Sequence, residues 1–158
     1  MEIYLLRHGI AEAAKAGAAD SERALTEEGK QKLGAVLERA AAAGVKPSVI
    51  LSSPYRRARE TADMAAKTLK CSKVVETEAL APSSMPEDVW QVICQQKREN
   101  AVLLAGHDPL LSQTVGFLLA APGLQVDLKK AALVRVDQET LRGQPRAILK
   151  WMLTPRLV

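Results

Sequence analysis

Between residues 3 and 119, apolar runs of two to five residues alternate with stretches whose apolar side chains recur every three or four positions. The runs Ile3–Leu6, Val49–Leu51, Val74–Val75 and Ala101–Ala105 read as strands, and the stretches between them as helices. Thr26 suits the cap of a first helix that carries Glu27 and Glu28 in its first turn. That helix aligns Leu33, Val36, Leu37 and Ala40 on one face and ends near Gly44. Ser53 as N-cap and Pro54 at the first position predict a second helix running to about Leu69. After a turn-rich loop at 81–86, Pro86-Glu87-Asp88 opens a third, with Val89, Val92 and Ile93 inward. Asp108 is the natural cap of a fourth, with Pro109 at its first position and Leu110, Leu111, Val115, Leu118 and Leu119 along it. Two later runs, 132–137 and 147–153, alternate as paired strands around a turn at Gly143-Gln144-Pro145. This order predicts a layered α/β fold with a mostly parallel central sheet and an antiparallel hairpin at its edge. With no repeat and no linker, one domain over 1–158 is expected.

A chain of 158 residues with 47% hydrophobic content can bury a core of its own. No apolar stretch approaches the roughly 18–20 residues that span a bilayer. Arg7 and His8 also interrupt the N-terminus too early for a signal peptide, so a cytoplasmic protein without membrane contact is expected. Cys71 and Cys94 have neither the spacing nor the companions of a zinc site or disulfide framework, and reduced cysteines, Cys94 facing a core, are expected. The net charge of +4 favours anionic partners. Aromatic residues make up only 3%, too few for the stacking platform of a single-strand nucleic-acid binder, and no nucleic-acid partner is expected.

Chemistry enters with the only two histidines. Each closes an apolar run, in Arg7-His8-Gly9 and in Gly106-His107-Asp108-Pro109. Open α/β sheets bind ligands at the carboxyl edge of their strands, where both imidazoles would stand. The second strand delivers Ser52-Ser53 to that edge, followed by Arg56, Arg57 and Arg59, and the helices that follow point their N-termini at it, which favours a bound phosphate. An arginine fork grips two phosphoryl oxygens, and a neutral imidazole, with an unperturbed pKa of about 6.5, can attack phosphorus. Competing machinery is missing. The chain has no G-x-S-x-G elbow, no G-x-x-x-x-G-K-[ST] loop and no G-x-G-x-x-G fingerprint, and His8, His107 and Asp108 are too few for a zinc site.

These segments resemble the histidine phosphatase, or phosphoglycerate mutase-like, superfamily. Arg7-His8-Gly9 is similar to its signature, Ser53-Pro54-Tyr55-Arg56-Arg57-Ala58-Arg59-Glu60-Thr61 to its S-P-x-x-R-A-x-[QE]-T segment, and Gly106-His107-Asp108-Pro109 to its G-H-x-P. Leu25-Thr26-Glu27-Glu28-Gly29 matches the L-T-x-x-G that opens the first helix. The short chain and the R-H-G-x-A-E form of Arg7–Glu12 resemble the SixA-type phosphohistidine phosphatases most. The resemblance implies a three-layer α/β/α fold and a metal-independent, cofactor-free phosphatase acting on a phosphohistidine-bearing protein. His8 would be the nucleophile, with Arg7, Arg57 and His107 catalytic beside it and, together with Gly9, binding the phosphoryl group. Arg56 and Arg59 match no motif position and are expected to be solvated.

One departure bears on the substrate. Many members of the superfamily place a carboxylic acid two residues past a leucine after the third strand, where this chain has Leu80-Ala81-Pro82. A phosphomonoester needs an acid to protonate its leaving oxygen, whereas phosphohistidine can leave as a neutral imidazole if its other ring nitrogen is protonated. Glu78, Glu87 and Asp108 stay open as alternative acids, Asp108 being read first as a helix cap. A small-molecule phosphomonoesterase and a non-catalytic phospho-ligand module are the alternatives. The polar stretch Ile10–Arg23 is expected to be a surface loop, or a lid.

Overall fold

Ile3, Tyr4, Leu5 and Leu6 alternate between the two faces of an extended strand, and all four are fully buried, so strand β1 (Glu2–Arg7) requires cover on both sides. The computed structural model, which describes residues 1–158, places β1 inside a six-stranded sheet. Its other strands are β2 (Val49–Ser52), β3 (Val74–Glu76), β4 (Ala101–Gly106), β5 (Leu133–Asp137) and β6 (Ile148–Leu153), in the spatial order β3-β2-β4-β1-β5-β6. The first four are parallel; β5 and β6 form the antiparallel edge.

Helices α1 (Glu27–Ala42) and α2 (Arg56–Thr68) cover one face, where Leu33, Leu37 and Ala62 meet Tyr4, Leu6 and Leu103. Helices α3 (Pro86–Gln95) and α4 (Leu110–Leu118) cover the other, where Val89, Ile93, Leu111 and Val115 meet Ile3, Leu5 and Leu104. The three-layer α/β/α arrangement is therefore the one expected. No helix is long and apolar enough to cross a membrane.

Three local expectations need correction. Thr26 caps α1 as anticipated, accepting the Gly29 amide at 3.0 Å. By contrast α2 starts at Arg56 with Tyr55 as its N-cap, because the Ser53 hydroxyl is drawn instead to the ring of His107. Asp108 does not cap α4 either: the main-chain carbonyl of His107 already takes the Leu111 amide at 2.8 Å, and Pro109 occupies the N-cap. Finally, Cys71 is the buried cysteine, packed against the α1–α2 layer, while Cys94 is half-buried beside the Leu141 carbonyl; both are free thiols.

Candidate active site

Strands β1 and β4 are neighbours and end level, with Arg7 opposite Gly106. The next residue on each strand is a histidine, so parallel pairing alone sets His8 beside His107, their ring centroids 5.1 Å apart. The ladder runs one residue past β1, the His8 amide donating to the Gly106 carbonyl at 3.0 Å. Strand β2 adds Ser53, whose amide bonds the Ala105 carbonyl at 3.0 Å and whose hydroxyl lies 2.8 Å from His107 Nε2. Helix α2 then supplies Arg57. His8, Arg57 and His107 are 7%, 6% and 2% exposed, a depth unusual for polar groups without partners.

The state of His8 follows from one contact. Its Nδ1 lies 2.7 Å from the Gly9 carbonyl oxygen. A carbonyl only accepts, so Nδ1 carries the proton and the lone pair is on Nε2. Arg57 Nε donates weakly to that lone pair, at 3.4 Å. Burial, reinforced by the charges of Arg57, Arg7 and Lys130, lowers the His8 pKa to about 4, against the opposing pull of the Gly9 carbonyl. Burial and then the neighbouring His8 and Arg57 lower His107 to about 3. Both rings are neutral at pH 7, and the unprotonated His8 Nε2 is engaged only by the long contact from Arg57.

Around the rings the cations are held in place. Arg57 donates from Nη1 to the Asp20 main-chain carbonyl at 2.8 Å and from Nη2 to the Asp20 carboxylate at 2.9 Å. Its guanidinium also lies 5.0 Å from the centre of the Tyr55 ring, which packs edge-on against His107. Arg23 first and Arg57 second hold the Asp20 carboxyl below its ordinary range. Arg7 donates from Nη1 to the Leu128 carbonyl at 2.6 Å, and its buried Nε has no partner. Neither has His107 Nδ1. Unpaired buried polar atoms are costly, and two of them beside a weakly engaged imidazole lone pair mark a place shaped for a polar ligand that supplies acceptor oxygens.

The supporting contacts explain residues that touch neither ring. Thr61 accepts the Gly9 amide at 3.2 Å and donates to the Arg57 carbonyl at 2.7 Å, coupling the loop that carries His8 to the arginine's helix. Glu60 takes the Leu25 amide at 2.7 Å and pairs with Arg56 at 2.9 Å. Gly29 lets the His8–Ile10 turn sit on the first turn of α1, since a Cβ there would lie 2.2 Å from the Ile10 carbonyl oxygen.

The family model described as "Histidine phosphatase superfamily (branch 1)" matches residues 3–87. The chain belongs to this superfamily. An uncharacterised protein of Picosynechococcus is 30% identical over 147 residues, covering 91% of this chain and 89% of its own. Among solved structures, the chain is similar to an Agrobacterium tumefaciens protein provisionally assigned as phosphohistidine phosphatase SixA, with TM-score 0.82, 25% identity, and 98% of each chain covered. It also shares the fold of the protein histidine phosphatase SixA complexed with tungstate, with TM-score 0.86, 23% identity, and 99% and 98% covered. That fold extends to small-molecule enzymes, among them a mycobacterial glucosyl-3-phosphoglycerate phosphatase, with TM-score 0.72, 16% identity, and 94% and 96% covered.

Within this histidine phosphatase domain Arg7, His8, Gly9, Arg57 and His107 all lie at one edge of the sheet, whereas Arg56 is half-exposed on Glu60 and Arg59 is engaged with Glu76. Glu78 and Glu87 are exposed. Asp108 is half-buried and directly follows His107, and its Oδ1 is buried without a partner. Asp20 was not anticipated. It belongs to the Ile10–Arg23 segment, whose Asp20–Glu22 turn folds back onto α2, and no periodicity or spacing signals that contact.

Proposed function

We propose that the chain is a metal-independent phosphohistidine phosphatase, which transfers a phosphoryl group from a histidine of a protein to His8 Nε2 and then to water. The contact that carries this reading is His8 Nδ1–H to the Gly9 carbonyl, 2.7 Å. It keeps the attacking nitrogen unprotonated before the reaction. In the first step the Nε2 lone pair forms a bond to phosphorus, while the bond from phosphorus to the substrate imidazole breaks and that ring leaves neutral with a proton on its other nitrogen. Phospho-His8 still holds its own Nδ1 proton, so it too is a good leaving group. Water then adds to phosphorus, its protons end on phosphate, and His8 returns to its starting tautomer. Neither step needs a carboxylic acid.

Arg7, Arg57 and His107 would bind the phosphoryl oxygens and stabilise charge on them in flight, the largest share of rate enhancement expected at such a site, whereas the Gly9 amide is already given to Thr61 and its carbonyl to His8. In this scheme the arginines are the charge stabilisers. The SixA-like fold and the lack of a carboxylate at Ala81 and Pro82 support the choice of substrate.

The test is to trap the phosphoenzyme from a phosphohistidine protein. Wild type should give an acid-labile phosphohistidine that maps to His8. His8→Ala should give none and lose turnover by at least a thousandfold, and full hydrolysis by that variant would overturn the proposal. The orphaned Asp108 Oδ1 favours one second reading, a phosphomonoesterase in which Asp108 protonates the leaving oxygen. Under it, Asp108→Asn would abolish turnover of an alkyl phosphate, whose leaving oxygen needs the proton; under the first, phosphohistidine turnover survives that change.

A further inference from the structure

Beside the phosphoryl site opens a cleft of about 420 Å³ in which five of eight lining residues, Arg7, Lys32, Lys129, Lys130 and Arg156, are cationic and none is acidic. Four separate parts of the chain build it: the end of β1 with the turn after it, α1, the segment before β5, and the C-terminal 3₁₀ turn (Pro155–Leu157) that packs on α1. Like charges gathered this way repel one another unless an anion joins them. Two are partly neutralised at the rim, Lys32 by Glu28 at 2.6 Å and Lys129 by Asp127 at 2.8 Å. Lys130 and Arg156 make no ion pair.

The cleft is joined to the nucleophile by main chain. Ala131, next to Lys130, donates its amide to the carbonyls of Arg7 and His8, at 3.1 Å each. Arg7 belongs to both places, as a candidate phosphoryl ligand and as the inner wall of the cleft. A phosphoryl group held by Arg7 would therefore have these cations as its neighbours on the cleft side.

We infer that this cleft receives an acidic segment of the phosphoprotein, next in space to the phosphohistidine, and so selects the partner by charge. The inference rests on the function proposed above. The lining has no aromatic side chain on which a base would stack, and the volume accommodates a few side chains, not a duplex; both favour carboxylates over nucleic acid. Exposed lysines and arginines around an active site act on encounter and binding more than on the chemical step.

The experiment uses two histidine-phosphorylated peptides that differ only in flanks of Asp and Glu or of Lys, and the charge-reversal variant Lys32→Glu with Arg156→Glu. Both positions are exposed, so folding is preserved, and neither is assigned a role in catalysis. Wild type should show a KM about tenfold lower for the acidic peptide at equal kcat, an advantage that shrinks as salt is added. The variant should lose or invert that preference, while turnover of a small aryl phosphate or of free phosphohistidine stays unchanged. Equal KM for both peptides in wild type overturns the inference, as does an equal loss on the small substrates. Competition by duplex DNA as strong as that of an unphosphorylated acidic peptide also overturns it, in favour of a general polyanion site. If neither phosphopeptide is turned over, the function proposed above fails by itself. Fluorescence anisotropy of the unphosphorylated acidic peptide, with and without the charge reversal, then decides the cleft.

Discussion

Asp20 holds Arg57 twice, by its main-chain carbonyl at 2.8 Å and its carboxylate at 2.9 Å. The polar loop after β1 thereby orients the guanidinium that faces His8. With its carboxylate half-exposed, Asp20 remains partly open to solvent. Exposed ion pairs contribute about 0.2–1 kcal/mol, and Arg57 is assigned to stabilise charge on the phosphoryl group in flight, so Asp20→Ala should lower kcat/KM about two- to fivefold, mainly through kcat. Asp20→Asn, which keeps one acceptor oxygen, should recover part of that loss. Steady-state kinetics on a phosphohistidine substrate check both, and an unchanged kcat/KM in Asp20→Ala would count against an orienting role.

The depressed pKa of His8 sets the acid limit of activity. On the proposed mechanism His8 must be neutral, so the acid limb of kcat/KM should fall through a pKa of about 4. Arg57→Gln removes one of the positive charges that disfavour the imidazolium, so the inflection should move up in that variant even though its activity is low. NMR titration of the His8 ring gives the same quantity directly; an inflection near 6.5 would show that burial does not act as described.

Stability should respond to the same burial. In the unfolded chain both imidazoles take up protons near pH 6.5, whereas in the folded protein they resist until about 4 and 3. The unfolded state thus binds more protons in between, and stability is full above about pH 6.5 and declines as pH drops toward 4. Each histidine contributes up to about 1.4 kcal/mol per pH unit within that window. Urea unfolding at several pH values should show the decline, with a shallower slope for His107→Gln.

Gly29→Ala tests whether the first turn of α1 supports the nucleophile's loop. The added Cβ meets main chain, the Ile10 carbonyl at 2.2 Å, and neither side gives way easily. Destabilisation at or above the upper end of the roughly 1–3 kcal/mol typical of overpacking is expected, together with a loss of turnover as the His8–Ile10 turn is displaced. Gly34→Ala on the same helix, where nothing lies within 4 Å, is the control and should be neutral or slightly stabilising.

The strands were readable because β1 and β4 are apolar at consecutive positions, as strands buried on both faces must be, and the histidines were readable because they end those strands. The motif residues around Arg57 were legible as a block, but the separate tasks of Ser53, Glu60 and Thr61 were not. Ser53 has the chemistry of a cap, and a local reading assigns it one. Its hydroxyl is claimed by His107, 54 positions away. Asp108 loses its capping role to a main-chain carbonyl, and Asp20 gains its role from a fold-back of the loop. For Ser53 and Asp20 a tertiary contact outweighs a local preference, and such contacts leave no periodic trace in a sequence; for Asp108 the competitor is the neighbouring main chain itself.

The level ends of β1 and β4 also govern how this site tolerates change. Six consecutive pairs, from Glu2 with Ala101 to Arg7 with Gly106, fix the stagger of the two strands. A slip of one residue would part the imidazoles by about 3.3 Å and send every buried side chain of β4 to the opposite layer. The distance between nucleophile and companion is therefore not adjustable in small steps: the core enforces it all or none. Diversification of substrate within such a scaffold is confined to the crossover segments, the Asp20 loop and the lysine-bearing stretch before β5, which can lengthen or recharge without disturbing the spacing of the two rings.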